Sequence, residues 1–252
     1  MSSTVTYQCL HQKVVFITGG ATGIGAAMVE AFLQQGARVA FLDINQEAAS
    51  QFLQTYSPQQ LWFSRVDVTD IQQLQQAITE AAAVFGQIDV LVNNVANDAR
   101  QPSKQVSVTA WRNCIQVNLD AAFFAAQAVY PYMQQRQQGS IINFSSINAI
   151  MGQPDMAAYV TAKAGLLGMT KALAKDYGAD GIRVNAILPG WVTTERQLAT
   201  WFTAQEQQRW LEAVSLKKFI APSDVANLAL FLASEQSALI TAQAINIDAG
   251  RL

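Results

Sequence analysis

The stretch that decides the fold is Lys-Val-Val-Phe-Ile-Thr-Gly-Gly-Ala-Thr-Gly-Ile-Gly, residues 13–25. Its mostly apolar, β-branched start predicts a buried strand over 13–18, and the pattern after the glycines predicts a helix over 23–35. Glycines allow a tight turn and a close approach to the backbone, and the free N–H groups of a helix N-terminus bind phosphates. Residues 18–25 therefore predict a pyrophosphate-binding turn. A glycine turn that only joins a strand to a helix is the alternative.

The same order of strand and helix continues along the chain. Short β-branched runs alternate with longer helical patterns, and the strands lack the polar alternation of a sheet with one face in water. This order predicts a doubly wound, seven-stranded parallel sheet in one α/β domain over 1–252. The predicted strands are 13–18, 37–42, 61–66, 88–92, 140–144, 182–188 and 244–248, and the predicted helices are 23–35, 44–56, 71–85, 111–133, 157–177 and 223–233, with an irregular helical stretch at 195–214.

The composition excludes several classes of protein. Hydrophobic residues make up 51% of the chain and charged residues 13%, which is incompatible with disorder. The formal net charge is −2 and the basic residues are scattered, so we expect no binding to nucleic acid or to a membrane. A single histidine excludes a histidine-based metal site and a Ser-His triad. With two distant cysteines, no apolar run of about 18 residues and no signal-like start, we expect a cytoplasmic protein.

An acidic residue, Asp43, ends the second predicted strand, 18 residues beyond Gly25. A carboxylate at this point can accept hydrogen bonds from the ribose hydroxyls of an adenine dinucleotide and would repel a 2′-phosphate. No Lys or Arg lies at 20–22 to compensate, and Ile44 follows the aspartate. The pattern favours NAD over NADP as cofactor. The alternative for Asp43, which could operate together with this role, is an N-cap of the helix over 44–56.

Tyr159 and Lys163 stand four residues apart in the predicted helix 157–177, so their side chains share one face. Ser146 lies just beyond the strand that ends near Phe144, at the sheet edge where α/β folds bind ligands. A phenol with a pKa near 10 becomes a usable base when an adjacent ammonium and a positive nicotinamide ring favour the phenolate. Ser146 could hydrogen-bond the reacting oxygen. A helix with an exposed lysine and a half-buried tyrosine is the alternative.

Taken together, these motifs resemble the short-chain dehydrogenase/reductase family, from about residue 13 to the end of the chain. The family motif Thr-Gly-x-x-x-Gly-x-Gly corresponds to Thr18, Gly19, Gly23 and Gly25, and the family's Ser, Tyr and Lys correspond to Ser146, Tyr159 and Lys163. The 13-residue spacing to Tyr159 selects Ser146 rather than Ser145. The proline-glycine turn is Pro189-Gly190.

Two motifs depart from the family pattern. The usual Asn-Asn-Ala-Gly is Asn93-Asn94-Val95-Ala96, and the usual Thr-Gly-Gln is Thr241-Ala242-Gln243. Ala96 adds one methyl group beside the cofactor but removes no catalytic group. Activity is therefore still expected.

The resemblance implies a Rossmann fold with strand order 3-2-1-4-5-6-7 and catalysis by Asn118, Ser146, Tyr159 and Lys163. Tyr159 would be the base, Lys163 would hold the nicotinamide ribose, and Asn118 would order a water molecule in a proton relay. Asp67 matches an adenine-contacting aspartate, and Thr194 lies where the nicotinamide carboxamide is expected. The implied cofactor-binding residues are Thr18, Gly19, Gly23, Ile24, Gly25, Asp43, Asp67, Val68, Asn94, Tyr159, Lys163, Pro189, Gly190, Val192 and Thr194.

The resemblance also implies a homotetramer. The helix around 121–132, which is nearly free of charge, and the helix that carries Tyr159 would pack across a dimer interface. Burial of the 121–132 helix within the monomer is the alternative.

Within the family, the segments 95–98, 151–156 and 189–196 resemble enzymes that oxidise aldoses at C1, such as xylose and arabinose 1-dehydrogenases. A sugar site needs several fixed polar partners and often an aromatic face. The candidate substrate-binding residues are Asn97, Ser146, Asn148, Gln153, Tyr159, Trp191 and Arg196. Local packing of Trp191 and a local salt bridge of Arg196 are the alternatives. Residues 191–216, with tryptophans among polar residues, are expected to form a lid or a helical pair packed on the body.

Two other functions remain open. The same residues could reduce a ketone, such as a 3-oxoacyl thioester or a steroid. The fold could also serve a non-catalytic, dinucleotide-sensing regulator, although the intact Ser-Tyr-Lys-Asn set argues against this function.

Overall fold

The computed structural model describes residues 5–252 and contains a seven-stranded parallel sheet. The strand order is β3-β2-β1-β4-β5-β6-β7, as expected. The register pairs Val15 of β1 with Val39 on one side and Val90 on the other. The strands are β1 Val14–Thr18, β2 Arg38–Asp43, β3 Leu61–Arg65, β4 Val90–Asn93, β5 Gly139–Phe144, β6 Ile182–Pro189 and β7 Ala244–Ile247.

Helices cover both faces of the sheet, because alternate residues of a strand point to opposite sides. Val15 and Ile17 pack into one core with helices α1 and α10, whereas Val14 and Phe16 pack into a second core with α3 and α5. None of the helices in residues 5–252 is long and apolar enough to span a membrane. The helices are α1 Gly23–Gln34, α2 Gln46–Thr55, α3 Ile71–Phe85, α4 Val108–Ile115, α5 Ala121–Arg136, α6 Asn148–Met151, α7 Ala157–Tyr177, α8 Glu195–Thr200, α9 Ala204–Ala213 and α10 Pro222–Ala233.

The predicted helix over 111–133 lies within a continuous helical stretch, 108–136, which contains a π turn that the sequence analysis did not predict. A π turn over Gln116–Asp120 separates α4 from α5. A π turn inserts an extra residue into the helix, and such turns occur mostly at functional sites. Here the turn contains Asn118, whose buried side chain hydrogen-bonds the loop after β4.

The irregular stretch predicted over 195–214 consists of α8 and α9. Each begins at a threonine, since the hydroxyl of Thr194 accepts from Gln197 N–H and that of Thr203 accepts from Glu206 N–H, both at 3.3 Å. The sequence analysis does not predict α6, one turn that follows Ser146. Both cysteines, Cys9 and Cys114, are free thiols.

Candidate active site

A large cleft lies at the carboxyl edge of the sheet, and its volume is about 1260 Å³. It exceeds the roughly 300–1,000 Å³ of ordinary small-molecule pockets, so a dinucleotide and a small substrate could share it. Open α/β sheets bind ligands at this edge. All predicted cofactor-binding residues except Thr18 line the cleft, and so do all predicted substrate-binding residues.

The glycine turn after β1 has the backbone geometry that a phosphate seat requires. Gly19 and Gly23 have φ values of +70° and +57°, in the left-handed region. A Cβ atom on Gly25 would overlap the carbonyl oxygen of Gly19, so only glycine fits there. The N-cap residue of α1, Thr22, makes no side-chain cap hydrogen bond. The N-terminal N–H groups of α1 are therefore available to the cleft, and the site fits a dinucleotide pyrophosphate.

Asp43 ends β2 and faces this turn. One carboxylate oxygen accepts from the Ala21 N–H at 3.0 Å and the other from the Asn45 N–H at 2.9 Å. The carboxylate is thereby fixed at the wall of the cleft. The alternative in which Asp43 caps the next helix is wrong, since α2 begins at Gln46 and the side chain of Asn45 caps it by accepting from Ala48 N–H.

Thr18 lies behind the cleft rather than on its wall. Its hydroxyl accepts from Asn94 N–H at 3.0 Å, and the Asn94 amide donates to the carbonyls of Thr18 and Gly19 at 3.1 and 2.9 Å. These bonds join the turn after β1 to the loop after β4. Thr18 therefore holds the glycine turn in place without lining the cleft.

Ser146, Tyr159 and Lys163 meet where β5 ends. Lys163 is 1% exposed, and its Nζ donates to the Phe144 carbonyl at 2.7 Å and lies 5.7 Å from the centre of the Tyr159 ring. The Ser145 hydroxyl donates to the Lys163 carbonyl at 2.7 Å, which fixes α7 against the end of β5. The Ser146 hydroxyl accepts from the Asn148 N–H at 3.2 Å. The alternative of an exposed lysine and a half-buried tyrosine is wrong, because both side chains are buried.

Burial shifts the pKa values of Tyr159 and Lys163. It raises the pKa of Tyr159 above its ordinary value, while the Ser146 hydroxyl acts in the opposite direction. Burial also lowers the pKa of Lys163 to about 8. Perturbed pKa values of this kind cluster at functional sites. A buried phenol becomes a base only where nearby positive charge favours the phenolate, and Lys163 supplies a positive charge when protonated.

Asn118 does not line the cleft. Its Oδ1 accepts from the Asn97 N–H, and its Nδ2 donates to the carbonyls of Asn97 and Cys114, all at 3.0 Å. It borders a small internal cavity of about 10 Å³, near the minimum for one water molecule, together with Thr18, Asn93 and Lys163. The role of Asn118 in ordering a water molecule stays a prediction, and its side chain ties the loop after β4 to the π turn.

At the substrate end, two predicted residues have local partners. The Trp191 indole N–H donates to Gln197 at 2.8 Å, and its ring lies 4.4 Å from that of Phe202, centre to centre. Arg196 forms an ion pair with Asp98 at 2.7 Å. Asn148 and Gln153 line the cleft, and no hydrogen bond of their side-chain amides is found among residues 5–252.

The sequence analysis missed Asp98, Arg100 and Gln197, which also line the cleft. A signal for Asp98 was present, since it follows β4 at the carboxyl edge of the sheet. No such signal exists for Gln197, because its contacts depend on how α8 packs.

The fold agrees with the comparisons. A solved protein from Sinorhizobium meliloti 1021, described as a candidate short-chain alcohol dehydrogenase, superposes with a TM-score of 0.90 at 32% identity and 96% coverage of both chains. A family model described as enoyl-(acyl carrier protein) reductase matches residues 19–251. The chain belongs to the short-chain dehydrogenase/reductase family. It is therefore an oxidoreductase of a family that binds nicotinamide dinucleotides.

Curated members of this family resemble the chain over nearly its whole length. A probable galactose dehydrogenase from Rhizobium meliloti (strain 1021) is 46% identical, covering 96% of this chain and 95% of the relative. A D-xylose 1-dehydrogenase from Caulobacter vibrioides is 43% identical, covering 99% of both. A 3-oxoacyl-[acyl-carrier-protein] reductase from Chlamydia trachomatis is 36% identical, covering 96% and 98%. The family thus includes relatives that are named for different substrates.

Proposed function

We propose that this short-chain dehydrogenase oxidises an aldose at C1 and transfers the hydride to NAD, giving an aldonolactone. The observation that carries the proposal is the near full-length similarity to two sugar dehydrogenases, at 46% and 43% identity. The polar lining of the cleft near Ser146 and Tyr159 supports it, since a sugar needs several hydrogen-bond partners.

The residues of the chain would divide the reaction as follows. When bound, the nicotinamide dinucleotide supplies the hydride acceptor. Tyr159 accepts the proton of the anomeric hydroxyl, and Ser146 hydrogen-bonds the same oxygen. Lys163, held by the Phe144 carbonyl, contributes its positive charge to the phenolate and binds the nicotinamide ribose. The wall of the cleft keeps both groups away from bulk water, which strengthens these interactions.

Asp43 would make the enzyme prefer NAD. Its fixed carboxylate would accept from the ribose hydroxyls and repel the extra phosphate of NADP. We expect a preference of at least about tenfold in kcat/KM, equivalent to roughly 1.4 kcal/mol. Asp43→Asn should shrink this preference, because it removes the charge and keeps an acceptor. Equal use of NADP by the unmodified enzyme would contradict the assignment.

The proposed reaction is tested by a spectrophotometric screen with both nicotinamide cofactors. The panel includes xylose, arabinose, galactose, glucose and polyols with the oxidised cofactors, and a 3-oxoacyl thioester with the reduced cofactors. We expect NADH formation with at least one aldose. A deoxy analogue of that aldose should lose about 10-fold or more in kcat/KM, because each missing hydroxyl leaves a polar partner unpaired. Turnover of the thioester and of no aldose would overturn the sugar assignment.

A ketone reductase is the second candidate function. The 36% identity to a 3-oxoacyl-[acyl-carrier-protein] reductase favours it. It would use the same Tyr159 as proton donor in the reverse direction.

We also propose a cytoplasmic location, because the proposed cofactor, NAD, is an intracellular carrier.

A further inference from the structure

One acidic side chain connects the two sides of the cleft at the substrate end. Asp98 lies on the loop after β4, and Arg196 and Gln197 lie on α8. One Asp98 oxygen accepts from Arg196 Nη2 at 2.7 Å, and the other accepts from Gln197 Nε2 at 3.0 Å. Both carboxylate oxygens are therefore used to hold α8 against the loop.

A second contact runs beside the first. The Arg100 guanidinium lies 4.3 Å from the centre of the Trp201 ring, within the range of a cation–π interaction. Arg100 follows Asp98 by two residues, and Trp201 directly follows α8. The loop after β4 thus contacts the segment 191–216 at two points.

The contact continues into the aromatic core of that segment. Gln197, which donates to Asp98, also accepts from the Trp191 indole N–H at 2.8 Å. The Trp191 ring packs against Phe202 and Trp210, with ring centres 4.4 and 6.2 Å apart. A substitution of Asp98 would therefore affect the position of Trp191 through the Gln197 side chain, which bonds both residues.

The loop that carries Asp98 is itself anchored to the catalytic region. The Asn118 side chain bonds both the N–H and the carbonyl of Asn97, and the Asn97 side chain accepts from the Ala99 N–H at 3.1 Å. The loop is thereby tied to the π turn, which packs on α7, the helix of Tyr159. Asp98 thus connects α8 to a fixed part of the molecule.

We infer that Asp98 is a positioning residue that clasps the segment 191–216 over the bound substrate through Arg196 and Gln197. The inference rests on the proposed function and adds a residue that sets the substrate end of the cleft. The Arg196 side chain is 60% exposed, and exposed ion pairs contribute little to folding stability. The role of the pair is therefore to fix α8 over the site rather than to stabilise the fold.

Electrostatics provide a readout that a purely structural contact would not change. The charged or titratable groups facing Tyr159 are Lys163 on its own helix, Cys114 on α4, Asp98 on the loop after β4 and Arg196 on α8, and the Ser146 hydroxyl lies beside them. Asp98 raises the pKa of Tyr159, and Arg196 lowers it. Removing one partner or the other should therefore shift the pH profile in opposite directions.

The kinetic test compares Asp98→Ala, Arg196→Ala and the double variant with Asp98→Glu, using the best substrate of the unmodified enzyme. We expect KM for that substrate to rise about two- to fivefold in either single variant, the range that the loss of an exposed ion pair allows, with kcat changed less. The double variant should be no worse than the single ones, and Asp98→Glu should partly restore KM. The pH profile of kcat/KM should shift to lower pH in Asp98→Ala and to higher pH in Arg196→Ala.

Two matched controls lie outside the cleft. Lys104→Ala removes an exposed charge from the same loop, and Gln208→Ala removes an exposed side-chain hydrogen bond from α9. Both should keep the KM and pH profile of the unmodified enzyme. Unchanged KM in Asp98→Ala, additive single effects, or shifts of the same sign would overturn the inference.

Hydrogen exchange provides a test that does not depend on which substrate is correct. In the NAD-bound enzyme, Asp98→Ala should increase amide exchange over residues 195–210, and exchange over β1 and β4 should stay as in the unmodified protein. If no aldose is oxidised but exchange changes as expected, the proposed function fails and the clasp stands. If aldoses are oxidised and exchange over 195–210 is unchanged, the clasp fails and the proposed function stands.

Discussion

The proposed proton transfer depends on the Tyr159 hydroxyl. Tyr159→Phe removes this hydroxyl from a side chain that is 8% exposed and leaves the ring in place. We expect turnover to fall by about 10²–10⁴-fold, the usual contribution of a general base. The Kd for NAD should stay within several-fold of the original, measured by quenching of tryptophan fluorescence. Turnover like that of the unmodified enzyme would show that another group accepts the proton.

The buried Lys163 should make folding stability depend on pH. Its pKa is about 8 in the folded chain and near 10.5 when unfolded, so the burial penalty is complete below pH 8 and disappears as the pH approaches 10.5. Lys163→Met removes this penalty. We compare the free energy of unfolding of the variant with that of the unmodified protein at each pH. The variant's value minus the unmodified protein's value should be about 2 kcal/mol lower at pH 10 than at pH 7, since each pKa unit is worth 1.36 kcal/mol.

Urea unfolding at both pH values measures this difference in the absence of cofactor. The same substitution at the exposed Lys104 is the control, and its difference from the unmodified protein should be the same at both pH values. A pH-independent difference for Lys163→Met would mean that the lysine is not desolvated in the folded chain. Lys163→Met should also lower both kcat and the affinity for NAD, because the ammonium serves the ribose and the phenolate.

Individual side chains differ in how far the sequence predicts their surroundings. Ser146, Tyr159 and Lys163 meet because a strand end and a helix face bring them together, which spacing alone can indicate. Trp191 and Arg196 were correctly placed in the cleft, but their hydrogen bonds go to Gln197 and Asp98. Spacing does not reveal these bonds, because Asp98 and Arg196 are 98 residues apart and meet only in the folded chain.

At the scale of elements, the π turn over Gln116–Asp120 connects α7, the helix of Tyr159, to the loop after β4. Asn118→Ala would break three partly buried hydrogen bonds and leave the N–H and the carbonyl of Asn97 without these partners. We expect a loss of roughly 1–3 kcal/mol in the free energy of unfolding. The KM for the substrate should also rise, because the loop carrying Asp98 would lose its anchor.

Thermal and urea unfolding with steady-state kinetics measure these two effects. Gln72→Ala, at an exposed position of α3, is the control and should change neither stability nor KM appreciably. An Asn118→Ala variant with unchanged stability would contradict the anchoring role. A loss of stability with no change in KM would separate the π turn from the substrate end of the cleft.

The elements themselves were predictable to different degrees. The helices 71–85 and 157–177 end where the apolar periodicity ends, and the structure reproduces both ranges. The π turn between α4 and α5 was not predictable, because apolar periodicity continues across it and the turn carries the tertiary hydrogen bonds of Asn118. α6 was not predictable for a different reason, because a single turn has too few residues to show a period.

At the scale of the whole molecule, the outer face of α5 carries an exposed aromatic side chain. One face of this helix is buried along its length, yet Phe123 on the other face is 36% exposed and packs edge-on against Phe124. Val108 and Trp111 on the preceding α4 are 67% and 37% exposed. The alternative of complete burial of the 121–132 helix inside the monomer is therefore wrong, and apolar surface is available for contact with other copies of the chain.

We predict a homotetramer that uses this face, with a mass about four times the 27.4 kDa of one chain. In a two-fold interface both subunits use the same face, so Phe123→Asp would bury two unpaired carboxylates in it, one from each subunit. The variant should dissociate to smaller species, as measured by light scattering after size-exclusion chromatography. Val84→Asp, at a position of α3 that is 55% exposed, is the matched control and should stay tetrameric. A monomeric unmodified protein at micromolar concentration, or a Phe123→Asp variant that elutes like Val84→Asp, would show that the exposed face of α5 does not form the interface.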